Sequence, residues 1–112
     1  MSLIQVALIL LLAAGGVGAF LLFQSWREKP SPDAVAWAHF IFAAGGVAIL
    51  ATLMGGDSDV KLPMILYGFA AAGGLFVFSY RFRDRFPPKL IMLAHGATAS
   101  AGTIALILAI LG

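Results

Sequence analysis

The chain of 112 residues is 62% hydrophobic and only 11% charged, with a mean hydropathy of +1.02 and a formal net charge of +2. This balance excludes an ordinary water-soluble domain. The absence of cysteine excludes disulfides and thiolate metal sites.

Four apolar runs, at 3–23, 34–54, 62–80 and 90–111, each approach the ~20 residues that a helix needs to cross a ~30 Å hydrocarbon layer. They carry Gly and Ala and show no strict alternation of apolar and polar residues, so they fit helices rather than barrel strands. The expectation is a single integral membrane domain over 1–112, all-α, embedded in the lipid bilayer.

The first run follows Met1–Gln5, which offers no basic segment of the kind that opens a signal peptide, and therefore reads as a retained span. It contains Ala-Ala-Gly-Gly at 13–16. In the link that follows, Ser31-Pro32-Asp33 reads as an N-cap, a proline at the first helical position and an acid in the first turn. The second run carries His39 in AHFIFAAGG (38–46). A short link with Asp57, Asp59 and Lys61 leads to Pro63, which can start the third helix, where Ala-Ala-Gly-Gly recurs at 71–74. Arg81, Arg83 and Arg85 then precede Pro87-Pro88, and the fourth run carries His95 in AHGATASAG (94–102). Links this short force antiparallel neighbours, giving an up-down-up-down bundle.

Lys and Arg in short loops set orientation. Arg27, Lys29, Arg81, Arg83, Arg85 and Lys89 share one side, against Lys61 alone on the other. Both termini are therefore expected outside, with the basic loops in the cytoplasm, as in a bacterial inner membrane. Because these residues hug helix ends, the positive charge needs no nucleic-acid partner to explain it.

His39 and His95 are the only histidines. Each lies about five residues inside a run that starts from the basic side, so the two rings should sit at one depth, roughly 8 Å in by helical rise. The second and fourth helices of a square antiparallel bundle are diagonal, which lets the rings bracket the central axis. At helical spacing, Ala43 and Gly46 follow His39 on its face, and Ala99 and Gly102 follow His95. Gly15, Gly16 and Gly18 of the first run and Gly73 and Gly74 of the third fall in about the same layer. Small pairs such as Ala14/Gly18 and Ala70/Gly74 also suit plain helix packing. The paired Ala-Ala-Gly-Gly and Ala-His elements suggest a tandem repeat of one helical hairpin.

The spans hold no Asp, Glu or Cys, so a zinc site lacks ligands. Copper could recruit Met92, one turn before His95, although an apolar methionine is more often filler. Two opposed neutral imidazoles with small residues around them describe bis-histidine ligation of haem b most economically, with His39 and His95 as metal ligands and Ala43, Gly46, Ala99, Gly102, Gly16 and Gly74 around the ring. No catalytic residues stand out. Eleven of the thirteen aromatics, from Phe20 and Trp26 to Phe78 and Phe86, belong to the basic half and can wall such a group, or form an interfacial belt.

With paired histidines on alternate helices and glycines in the spans, the chain resembles the membrane b-type cytochromes. The resemblance implies one haem near the cytoplasmic face and one-electron transfer, with quinone and a redox protein as partners. Whether such a chain counts as an enzyme, a quinone-linked oxidoreductase subunit, is open, as is a homo-oligomer. Two other readings compete: an accessory or assembly subunit whose Gly/Ala faces pack in a larger complex, and a small transporter or channel, for which Ser79, Thr98, Ser100 and Thr103 are the candidate polar lining.

Overall fold

A computed structural model describes residues 1–56 and 59–112. Asp57, expected beside Lys61, lies outside them. The described residues form α1 (Leu3–Trp26), α2 (Asp33–Leu53), α3 (Lys61–Ser79) and α4 (Lys89–Leu111), with a 3₁₀ turn at Tyr80–Arg83 prolonging α3. All four helices are long and apolar enough to cross a membrane. The chain is an all-α, four-span bundle in antiparallel pairs.

Helix ends follow local chemistry. Ser2 and Gln5 form a reciprocal cap at the start of α1, the Ser2 hydroxyl accepting from the Gln5 N–H at 3.3 Å and the Gln5 side chain from the Ser2 N–H at 3.0 Å. Beyond α1, the N–H of Lys29 reaches the Gln24 carbonyl at 2.9 Å and that of Glu28 reaches Ser25 at 3.0 Å, a Schellman closure with Glu28 in the left-handed conformation. α1 thus extends to Trp26, past the expected Phe23. At α2 the expected cap is corrected: Pro32 is the N-cap and Asp33 begins the helix, while the Ser31 hydroxyl accepts from Arg81 instead. Proline has no N–H to leave unpaired there.

α1 packs along α2 and α3 along α4, making two hairpins. Contact between hairpins is narrower at α1/α4 and brief at α2/α3, and the backbones of the diagonal pairs stay apart. Except for Tyr67, buried positions are occupied by small or medium residues, whereas Ile41, Phe69, Ile104 and Leu108 point outward, 60% or more exposed. That polarity suits lipid, which solvates large apolar side chains while small ones let helices approach closely.

The hairpins repeat each other in a register of 56 residues. The buried residues Ala7, Leu11 and Ala14 of α1 correspond to Pro63, Tyr67 and Ala70 of α3, and Ala36, Gly46 and Leu50 of α2 to Met92, Gly102 and Leu106 of α4. The loops match too: Lys29 to Gln24 is mirrored by Arg85 to Tyr80 at 3.4 Å, and Asp84 is left-handed like Glu28. The repeat expected from sequence is therefore present, but the Ala-Ala-Gly-Gly copies at 13–16 and 71–74 are two residues out of register with it. Gly18, not Gly16, is the counterpart of Gly74.

The two ends of the bundle are tied differently. At the basic end Arg81 donates to Asp33 at 2.7 Å and to the Ser31 carbonyl at 3.2 Å, while Trp37 of α2 meets Phe78 of α3 edge-on at 5.3 Å. Lys89 lies over the Trp26 ring at 4.9 Å, joining α4 to α1. At the other end Ala7, Leu11, Leu50, Val60, Tyr67 and Leu106 form the apolar core. The histidine layer lies between these ties.

Candidate functional site

His39 and His95 are each the seventh residue of their helix, counted from the prolines Pro32 and Pro88 that cap α2 and α4. Equivalent starts and equivalent counts bring them to one level. Their rings meet across the seam between hairpins, centroids 6.2 Å apart and planes crossed at 86°. The diagonal pairing expected from the antiparallel topology is thus the observed one.

Each ring is held by its own hairpin. His39 Nδ1–H donates to the Ala14 carbonyl of α1 at 2.8 Å, and His95 Nδ1–H donates to the Ala70 carbonyl of α3 at 2.7 Å. A carbonyl oxygen only accepts, so the proton is on Nδ1 in both rings and, in the neutral imidazole, Nε2 keeps its lone pair. Neither Nε2 has a hydrogen-bond partner among the described residues. Both rings are half-buried, and the charged side chains keep to the helix ends.

Glycines make these bonds accessible. A Cβ on Gly18 would lie 2.8 Å from His39 Cε1, and one on Gly74 would lie 2.8 Å from His95 Cε1. Real Cβ atoms do not approach so closely. Gly73 adds an ordinary contact, its Cβ position lying 3.6 Å from His95 Cβ.

The remaining residues expected around the site are dispersed. A Cβ on Gly46 would strike Leu11 Cγ at 2.5 Å, and one on Gly102 would meet the Tyr67 ring at 3.3 Å. Both glycines thus face their hairpin partners, where they admit Leu11 and Tyr67. Gly16 borders open space. Ala43 and Ala99 are half-buried, Ala99 against the apolar core. Met92 is buried at the position that Ala36 occupies in the first hairpin. Of the residues placed in the histidine layer from sequence, the structure brings together His39, His95, Gly18, Gly73 and Gly74. The roles of Ala14 and Ala70 reside in their carbonyls, which no side-chain pattern signals.

Below the histidines, α1 and α4 border a lipid-facing groove of about 370 Å³ lined by Leu11, Leu12, Gly15, Gly16, Ser100, Thr103 and Ile104. Ser100 donates to the Gly96 carbonyl at 2.8 Å and Thr103 to Ala99 at 3.0 Å, while the Thr103 hydroxyl also meets that of Tyr67 in α3 at 2.5 Å. Thr98 likewise donates to Ala94 at 2.7 Å and Ser79 to Phe76 at 2.6 Å. All four hydroxyl protons are thus taken by carbonyls of their own helices.

Fold and site define a four-span membrane bundle of two equivalent hairpins that oppose one imidazole each across their seam. Comparison with protein-family models, with curated proteins and with solved structures finds no match to this chain.

Proposed function

We propose that this protein is a b-type membrane cytochrome that holds one haem between His39 and His95 and exchanges single electrons near the basic side of the membrane. The observation that carries the reading is the pair of equivalent imidazoles, both with Nδ1–H engaged and Nε2 free, facing each other across the seam.

The donor set supports haem over a bare ion. Zinc takes three or four protein ligands, and no group of three or more His, Cys, Asp or Glu gathers among the described residues. An iron that brings four nitrogens of its own would need only two ligands from the protein, and His39 and His95 would be those two. The two rings lie 6.2 Å apart, centroid to centroid, so that one group could be held by both.

When bound, the haem supplies the one-electron redox chemistry, and the protein supplies binding, orientation and electrostatics. In this reading His39 and His95 would hold the haem through Nε2. The Ala14 and Ala70 carbonyls fix the ring orientations, the usual task of partners behind metal-ligating imidazoles. Trp37, Phe40 and Phe78, in mutual contact at 5.3–6.3 Å, exclude water on the α2/α3 side. Arg27, Lys29, Arg83, Arg85 and Lys89 offer cations to the carboxylates that haem carries. A quinone or a redox protein would take or give the electron at this end, with the basic loops in the cytoplasm of a bacterium and both termini outside.

The test is colour. Protein purified in mild detergent should carry non-covalent haem with the reduced spectrum of a low-spin, six-coordinate iron. His39→Ala and His95→Ala should each abolish that spectrum, to equal extents because the two ligands are equivalent. A colourless protein that also fails to take up added haem overturns the reading and favours an accessory subunit.

A further inference from the structure

We infer that Gly18 and Gly74 are positioning residues: by lacking a side chain they admit His39 and His95 to the carbonyls one turn earlier, and so fix both rings in the tautomer whose Nε2 carries the lone pair. The use of that lone pair for haem rests on the reading above, whereas the tautomer itself does not.

The geometry is specific. In a helix the carbonyl of residue i already accepts the N–H of residue i+4, leaving one lone pair. Cβ bonds tilt toward the helix N-terminus, so a side chain at i+4 stands over that lone pair. Gly18 is four residues after Ala14, and Gly74 four after Ala70. The imidazoles enter through these two openings, His39 Nδ1 lying 3.1 Å and His95 Nδ1 3.3 Å from where a Cβ would be. Without the opening the ring must withdraw, and it loses the carbonyl acceptor that keeps its proton on Nδ1.

The internal repeat separates this role from general packing. In the 56-residue register Gly15, Gly16 and Val17 correspond to Ala71, Ala72 and Gly73, each pair having diverged, while Gly18 and Gly74 agree. Gly15 and Gly16 face open space, and Ala71 and Ala72 are exposed, so a methyl group is indifferent there. Among these four consecutive positions, the two hairpins share a glycine only where an imidazole arrives.

The test is nitrogen NMR on the full chain labelled at histidine, prepared in detergent from haem-limited cells near neutral pH. Free histidine side chains carry their proton mostly on Nε2. We expect both rings to show a protonated Nδ1 and an unprotonated Nε2 in the wild type, a measurement that needs no variant to fold. Gly18→Ala should shift His39 alone to the other tautomer, and Gly74→Ala His95 alone. Gly68→Ala, beside which there is open space, should move neither. In haem titrations Gly18→Ala and Gly74→Ala should weaken uptake roughly tenfold or more, since an added carbon in a tight contact is strongly disfavoured, and Gly68→Ala should have no effect. Wild-type rings protonated on Nε2, or a His39 tautomer indifferent to Gly18→Ala, overturn the positioning role. Tautomers as expected with no haem uptake by the wild type uphold it and overturn the cytochrome reading.

Discussion

Glu28 and Asp84 hold the same left-handed backbone, φ 54° and 50°, at equivalent points of the two hairpins. Each follows an arginine where a helix ends, at or beside the position where glycine is the usual residue. For a side chain the conformation costs about 1–2 kcal/mol, less for Asp, and glycine gives back about 0.5–1 kcal/mol through its freer unfolded chain. Glu28→Gly should therefore be neutral to stabilising by up to about 1 kcal/mol, with a smaller gain for Asp84→Gly. Glu28→Val should destabilise by about 1 kcal/mol or more, because β-branched residues fit this region worst. Thermal unfolding in detergent reads all three, and a stabilised Glu28→Val would contradict the assigned conformation.

Arg81 fastens the second hairpin to the loop that begins α2, through the Asp33 carboxylate and both oxygens of Ser31. Asp33 is 83% exposed, so its ion pair is worth at most about 1 kcal/mol. Arg81 makes three bonds from a mostly covered position, and its removal should cost more, about 1–2 kcal/mol. The expected order is Arg81→Ala well below Asp33→Asn in unfolding midpoint. Raising salt should narrow the gap between wild type and Asp33→Asn. Equal loss in both variants would mean that the carboxylate, not the Ser31 contacts, makes the tie.

Gly46 and Gly102 should respond unequally to alanine. The space beside Gly46 is taken by the branched centre of Leu11 at 2.5 Å, whereas Gly102 lies 3.3 Å from the flat Tyr67 ring. Gly46→Ala is expected to cost about 1–3 kcal/mol as overpacking, and Gly102→Ala less. Adding Leu11→Ala to Gly46→Ala should recover part of the loss, a coupling that a double-mutant cycle measures. The same cycle asks whether Gly46 serves the hairpin or the cofactor: a Gly46→Ala variant of normal stability but reduced haem content would return it to the site.

The contrast between Gly46 and Gly18 explains what the sequence could and could not disclose. Span length, loop charge and the count from Pro32 to His39 are one-dimensional quantities, and they suffice to bring the two histidines to one level on diagonal helices. Which face of a helix meets which neighbour is different. In water an apolar stripe marks the inward face, but in lipid both faces of α1 are apolar, so periodicity cannot tell Gly16, beside open space, from Gly18, under an imidazole. The Ala-Ala-Gly-Gly copies misled for the same reason, since small residues recur in membrane helices wherever backbones approach. Arg81 was legible as a loop cation, yet its bonds to Ser31 depend on how the two hairpins meet, which no local signal encodes.

Orientation offers the last test, and it separates loop charge from every other feature of the fold. Arg27, Lys29, Arg81, Arg83, Arg85 and Lys89 lie at one end of the bundle and Lys61 at the other. Because Asp and Glu contribute little to this bias, the Asp33 partner of Arg81 does not cancel it. A reporter fused after Gly112 should therefore be active only in its exported form. Replacing Arg27, Lys29, Arg83 and Arg85 together with Gln leaves Arg81 and its contacts to Ser31 and Asp33 intact while reducing the bias to two against one. That variant should insert in mixed orientation, giving signal from both exported and cytoplasmic reporters. A wild-type chain whose reporter is active only in the cytoplasm would reverse the assignment, moving the histidine layer to the outer half of the membrane and the proposed electron exchange with it.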